Sequence, residues 1–147
     1  MILVSACLAG VKCKYNGGSS LVKKAAELLS SGSAVPVCPE QLGGCATPRT
    51  AVEIRDGTGA DVLDGRCRVT GKDGEDVTER IVRGAEEVLR IAKLTGAEKA
   101  VLKARSPSCG CGRIYDGTFS GSTREGNGVT AELLLRNGIE VLTEEDL

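Results

Sequence analysis

The sequence predicts an α/β protein: a mostly parallel sheet with helices on both faces, a Rossmann-like three-layer arrangement with a small hairpin insertion. Three observations predict it. Short aliphatic runs alternate with helical periods, the pattern of successive strand–helix units. The clearest runs lead into loops rich in Gly, Pro and Cys, as strands do where they deliver a site. No repeat or linker interrupts the 147 residues, so 1–147 is expected to be a single domain.

Ile2–Ser5 reads as a buried first strand running into Ala6-Cys7-Leu8-Ala9-Gly10, and Tyr15-Asn16-Gly17-Gly18 as a turn. From about Ser20 to Ser30, Leu21, Val22, Ala25, Ala26, Leu28 and Leu29 keep a helical period that Gly32 stops. Ala34–Cys38 is a short strand whose Pro36 marks a strand start or a sheet edge. Ala51–Arg55 and Cys67–Thr70 are shorter strand candidates. Turn-forming Asp56–Gly65 and Gly71–Gly74 flank them, and together they form the expected hairpin insertion.

The clearest helix opens at Asp76. Glu79 three residues on completes a capping-box pattern, Val77, Ile81, Val82, Ala85, Val88, Leu89 and Ala92 line one face, and Gly96 ends it. Ala100–Leu102 is the next buried strand, leading into Ser106-Pro107-Ser108-Cys109-Gly110-Cys111-Gly112. Residues 112–128, rich in Gly, Ser and Thr, are long for a structureless connection and read as a functional or mobile loop. Val129–Arg136 is a last helix stopped by Asn137-Gly138, and Ile139–Leu142 a last strand.

Composition narrows the chemistry. Net charge is -1 and aromatic residues are 2% of the chain, which leaves neither a basic face for a duplex nor many stacking platforms for a single strand. Polymeric nucleic acid is not an expected partner. No apolar run is long enough for a membrane span and the first residues lack a signal-peptide pattern, so a soluble cytoplasmic protein is expected, as monomer or homodimer. There is no histidine, which removes imidazole acid–base catalysis, Cys–His nucleophiles and His-ligated zinc. Neither G-x-G-x-x-G nor G-x-x-x-x-G-K-[ST] occurs.

Seven cysteines remain to be explained, an odd number for a disulfide framework. A free cysteine is often a small buried hydrophobe. Yet Cys7, Cys38 and Cys109 each follow a predicted strand, where α/β sheets bind ligands, and Cys13 and Cys45 share those loops. Paired C-x-x-C zinc knuckles are absent. Thiolates converging from distant loops suit an iron–sulfur cluster, and three of them on a [4Fe–4S] cube leave one iron open as a soft Lewis acid. Glu40 stands two residues from Cys38 as a general base toward water, or else as a helix cap. Ser106 and Ser108 are candidates for proton relay or for turn formation. Arg49 either binds a carbonyl or phosphate group or pairs with Glu53.

A set of motifs in order spans the chain: Val4-Ser5-Ala6-Cys7-Leu8, Cys13-Lys14-Tyr15-Asn16-Gly17, Val37-Cys38-Pro39-Glu40 with Leu42-Gly43-Gly44, Pro48-Arg49, Ser106-Pro107-Ser108-Cys109-Gly110, Ile114-Tyr115-Asp116-Gly117-Thr118-Phe119 and Gly128-Val129-Thr130-Ala131. In these the sequence resembles the thiouracil desulfidase family. The resemblance implies a [4Fe–4S] cluster on three cysteines, and removal of sulfur from a thiolated pyrimidine to give uracil and hydrogen sulfide. It offers Cys7, Cys13, Cys38 and Cys109 for three ligand places. Cys7, Cys38 and Cys109 are the expected metal ligands because each follows a strand, with Cys13 in reserve. In this scheme substrate sulfur sits on the open iron, Glu40 activates the water, and Ser106 or Ser108 handles a proton. Cys45, Cys67 and Cys111 lie outside the pattern. A non-catalytic iron–sulfur or thiol redox sensor, a zinc-binding structural protein and a cluster-dependent sulfur transferase acting on thiolated nucleosides or RNA are the competing expectations.

Overall fold

In the computed structural model, which describes residues 1–147, the chain starts with β1 (Ile2–Ser5), α1 (Lys23–Ser30), β2 (Ala34–Val37) and the short α2 (Pro39–Leu42). β3 (Val52–Ile54), α3 (Gly59–Leu63), β4 (Val69–Gly71) and the long α4 (Thr78–Thr95) follow. β5 (Lys99–Leu102), β6 (Arg113–Tyr115), β7 (Thr123–Glu125), α5 (Val129–Arg136) and β8 (Glu140–Thr143) complete it.

β2, β1, β5 and β8 pair in that order, all parallel, with Leu3 opposite Val35 on one side and Ala100 on the other. Successive strand residues face opposite sides of a sheet. Leu3, Ala100, Leu102 and Val141 therefore pack against Val88 and Ala92 of α4 and Ala131 and Leu134 of α5. Val4 and Val101 point the other way, onto Ala25 of α1. Each fully buried Val, Leu or Ile contributes about 1.5–3 kcal/mol. Pro36 lacks an N–H and sits on β2, an edge strand.

A third cluster, including Ile54, Val69, Ile81, Ile114 and Val129, joins the antiparallel β3–β4 pair to the start of α4, to β6 and to α5. The expected hairpin insertion is thus a real antiparallel pair, but α3 lies between its strands. Thr58 and Asp61 form a capping box there, with Thr58 N donating to Asp61 Oδ2 at 2.9 Å. The stretch 112–128 is not structureless: β6 and β7 pair antiparallel within it.

Helix starts also move. α1 begins at Lys23 because the N–H groups of Ser20 and Val22 bond the Cys7 and Leu8 carbonyls instead. α4 begins at Thr78, and Asp76 Oδ1 accepts from Thr78 N at 2.9 Å, so the Asp76–Glu79 box does not form. No helix is long and apolar enough to cross a membrane.

α2 sits directly on α4. A Cβ on Gly84 would stand 1.9 Å from the Pro39 carbonyl oxygen, and one on Gly43 would stand 1.9 Å from that of Arg80. Both glycines are required by this backbone approach, which fixes Cys38 and Glu40 relative to the core. Within an ordinary helix Gly→Ala gains about 1 kcal/mol. Here the overlap is with backbone, and overpacking of this kind costs about 1–3 kcal/mol or more. Gly84→Ala is therefore expected to lower the urea midpoint; an unchanged or raised midpoint would show that α2 is not seated as described.

Candidate metal centre

The strand order reverses at β1: the chain moves to one side for β2 and to the other for β5 and β8. Loops leaving β1 and β5 then diverge and open a crevice at the carboxyl ends of the strands. Its walls enclose a cavity of about 440 Å³, and Cys7, Cys13, Cys38 and Cys109 all line it.

Each thiol is placed by local backbone chemistry. Cys7 lies in a single 3₁₀ turn, Ala6–Ala9, closed by Gly10 at φ 96°. Cys13 is 2% exposed, and its carbonyl accepts from Arg49 Nη2 at 3.0 Å. Cys38 caps α2, with Pro39 at the first helical position, where its missing N–H is not needed. Cys109 lies on the loop after β5. There Ser106 Oγ accepts from Ser108 N at 3.2 Å and Cys109 N at 2.7 Å. The N-terminal turn of α5 holds the same loop with its free N–H groups: Val129 N donates to Pro107 O and Thr130 N to Ser108 O, both at 2.8 Å. Gly128 is required there, since a Cβ would stand 2.6 Å from the Ser108 carbonyl carbon.

Burial sets the protonation of these thiols. It pushes Cys7 up to about 11, with Cys38 adding to the rise and Lys103 and Lys14 opposing it. Burial, then Cys38 and Cys7, push Cys13 up to about 12. Cys109 is raised by burial against the lowering effect of its Ser5 hydrogen bond. Without a metal, such thiols keep their protons at neutral pH; a thiophilic cation replaces those protons on binding. All seven cysteines are free thiols. No three Cys, Asp or Glu side chains are grouped as a single ion would require. Several thiols spread around one cavity suit a polynuclear iron–sulfur cluster better than a single zinc ion.

Glu40 lines the same cavity, on the first turn of α2. Its carboxylate makes no cap. Oε1 accepts from Arg49 Nε at 2.9 Å and Oε2 from Ser108 Oγ at 3.2 Å. Arg49 accordingly pairs with Glu40 and not with Glu53, and its other donors reach the Cys13 and Ala46 carbonyls and Thr47 Oγ1. Four of its five N–H donors are thus engaged within the protein. Ser106 lines the cavity, whereas Ser108 stands behind Glu40 with its hydroxyl engaged there.

Cys45, Cys67 and Cys111 do not line the cavity. Cys67 and Cys111 are directed to the Asp56 and Val141 carbonyls, and Cys45 packs against the cluster around Ile54. The whole chain has two tyrosines, one phenylalanine and no tryptophan, and all three aromatics line this cavity.

Two participants escaped the sequence reading. Ser5, 2% exposed at the end of β1, donates to Cys109 Sγ at 3.4 Å and accepts from Lys103 N at 2.9 Å. Its signal was a hydroxyl in the last position of an apolar strand. Glu53, buried in the strand between Val52 and Ile54, was read from the sequence only as a possible partner of Arg49, and not as part of the cavity wall.

A family model described as 2-thiouracil desulfurase matches residues 2–146. The protein YbbK of Bacillus subtilis (strain 168) is 49% identical over 147 residues, covering 100% of this chain and 97% of its own. The solved structure of the [4Fe-4S]-dependent thiouracil desulfidase TudS superposes with a TM-score of 0.88 at 41% identity, covering 99% of this chain and 91% of the other.

Ser5→Ala leaves the Lys103 N–H without its acceptor and Cys109 without its donor. A lost buried partner costs about 1–3 kcal/mol, so the urea midpoint of metal-free protein is expected to fall, with the Cys109 loop exchanging its amide protons faster.

Proposed function

The chain belongs to the 2-thiouracil desulfurase family, and on that premise we propose that it is a [4Fe–4S]-dependent desulfidase that converts a small thiolated pyrimidine, such as 2-thiouracil, to the oxygen analogue and hydrogen sulfide. One observation carries the proposal: four thiols, a paired carboxylate and every aromatic side chain of the protein line a single cavity. Its volume of about 440 Å³ lies within the range for small-ligand sites. The enzyme acts in the cytoplasm, and residues 1–147 work as one unit.

Cys7, Cys38 and Cys109 hold the cluster, each from the loop that follows a strand of the central sheet. Three protein thiolates on a [4Fe–4S] cluster leave one iron free of protein ligands, and that iron supplies a soft Lewis acid for sulfur. The fourth thiol, Cys13, shares the cavity without being required as a ligand.

The overall change replaces C=S by C=O. Water provides the oxygen, its two protons leave with the sulfur, and no electron donor is needed. Glu40 takes the proton from the attacking water. Arg49 and Ser108 hold one carboxylate oxygen each, and this fixes the direction in which Glu40 faces the cavity. Ser106 Oγ already accepts two backbone N–H groups, which leaves its own hydrogen to donate toward the ring. Ser108 acts through Glu40.

Anaerobic reconstitution with iron and sulfide, then addition of 2-thiouracil, tests the assignment. A brown protein with about four irons per chain that releases sulfide is expected. A brown protein that releases none from any thiolated pyrimidine would make it a non-catalytic sensor. Uptake of zinc alone would leave a structural role.

Single Cys→Ser changes at positions 7, 38 and 109 are each expected to abolish stable iron binding, whereas Cys13→Ser retains about four irons per chain. Iron and acid-labile sulfide assays decide this; an iron-replete Cys38→Ser variant would exchange the roles of Cys13 and Cys38. Glu40→Gln is expected to keep the cluster's absorbance while lowering kcat by about 10²–10⁴-fold, read as sulfide release. Full turnover in that variant would remove Glu40 from the mechanism.

A further inference from the structure

Besides Glu40, the only acidic side chain on the cavity wall is Glu53. It occupies the middle of β3 and is 8% exposed. Its Oε1 accepts two backbone N–H groups from the loop between β6 and β7, Gly117 N at 2.9 Å and Phe119 N at 3.2 Å. No group in the protein bonds Oε2. Nor is that oxygen sealed in apolar packing, because the only fully buried side-chain atoms without a partner are Thr70 Oγ1 and Thr130 Oγ1.

Oε2 therefore opens to the cavity with its lone pairs unused by the protein, ready to accept from whatever enters. No cation is paired with it: Arg49 is held by Glu40, Arg55 Nη1 donates to the Gly117 carbonyl, Lys103 Nζ reaches Glu144, and the other two cavity lysines, Lys14 and Lys72, make no ion pair with Glu53. The chemistry that fits the remaining acceptor is a donor brought in by the ligand.

The surrounding loop is built to hold this acceptor beside an aromatic wall. Phe119 has φ 55°, a left-handed conformation that costs an L-residue about 1–2 kcal/mol. The Glu53 hydrogen bond to its N–H and the Arg55 guanidinium, 5.7 Å from its ring centre, hold it there. Backbone strain of this sort collects at ligand sites. The Phe119 ring and the open carboxylate oxygen therefore come from one fixed unit on one wall.

We propose that Glu53 Oε2 accepts a ring N–H of the substrate, with the ring against Phe119, so that Glu53 selects cyclic thioamides and thioureides that carry an N–H over N-alkylated ones. This assignment rests on the desulfidase function proposed above and adds the residue that reads the ring. Glu53 is a binding residue and takes no part in proton transfer to sulfur. A Gln in its place keeps an oxygen for the Gly117 and Phe119 N–H groups but presents an N–H₂ donor to the ring.

The test uses reconstituted wild-type protein and Glu53→Gln with 2-thiouracil, its two N-monomethyl isomers and the 1,3-dimethyl compound, measuring Kd by calorimetry and kcat and KM by sulfide release. Wild type is expected to bind 2-thiouracil about 10- to 100-fold more tightly than the dimethyl compound, the effect of a hydrogen bond to a charged group. Only one monomethyl isomer should share that loss. Glu53→Gln is expected to raise KM for 2-thiouracil by a similar factor, to leave kcat within about twofold, and to reduce the preference over the dimethyl compound to about twofold.

A role confined to holding the loop would instead lower the melting temperature and weaken all four compounds alike, with the preference intact, and that overturns the proposal. Should Glu53→Gln fail to fold, the wild-type ranking of the four compounds decides alone: equal binding of all four rejects the assignment. Selective binding without sulfide release would sink the desulfidase function yet uphold the Glu53 contact. Sulfide release without N–H selectivity would reject the Glu53 contact alone.

Discussion

The reversal of strand order at β1 is the constraint on which the rest of the molecule depends. Right-handed crossovers send α1 to one face of the sheet and α4 with α5 to the other. The loops after β1 and β5 must then part, and the crevice between them cannot be filled by the aliphatic core. Thiols far apart in the chain, such as Cys7 and Cys109, meet there because both strands stop at the same sheet edge. The second wall depends on α2, whose approach to α4 through Gly43 and Gly84 sets the depth at which Cys38 and Glu40 stand.

The crevice is shaped by backbone hydrogen bonds to side chains more than by contacts among the reactive groups. Ser106 ties the Cys109 loop to itself, and the first turn of α5 ties it to the core. Glu144 accepts from the Ala104 N–H at 2.8 Å and fixes where that loop begins. Arg49 joins Glu40 to the Cys13 carbonyl, so the carboxylate and one thiol loop share a single guanidinium. Such bonds hold the cavity-lining groups in fixed relative positions. Several hydroxyls and charges beside the cysteines satisfy backbone groups there: Ser5 accepts from Lys103 N, Ser106 from Cys109 N and Glu144 from Ala104 N.

Burial holds the metal-free thiols in their protonated form. A thiol raised by desolvation and by its neighbours is inert as a nucleophile and keeps its proton. A metal that binds them must displace those protons. Cys7, Cys13, Cys38 and Cys109 share one cavity, a disposition open to a cluster of several irons.

The amino-acid sequence by itself determined the alternation of strands and helices, the aliphatic face of α4, and the placement of Cys7, Cys38 and Cys109 after strands; of the two positions that Pro36 allowed β2, a strand start or a sheet edge, the sheet order decided the edge. What the sequence determined follows from periodicity and from local backbone rules, which act over a few residues. The missing histidine and the order of the motifs, read the same way, pointed to thiolate chemistry and to the family. Tertiary structure alone decided which groups meet. Arg49 pairs with Glu40 and not with Glu53, the Ser5 hydroxyl reaches Cys109 across 104 positions, and Cys45 and Cys111 turn away from the cavity although they neighbour its loops. The β6–β7 hairpin and α3 were hidden because glycine-rich segments carry little hydrophobic period, and their stability comes from packing on Ile54, Ile114 and Val129. Partner choice depends on separations through space, and a one-dimensional pattern records only separations along the chain.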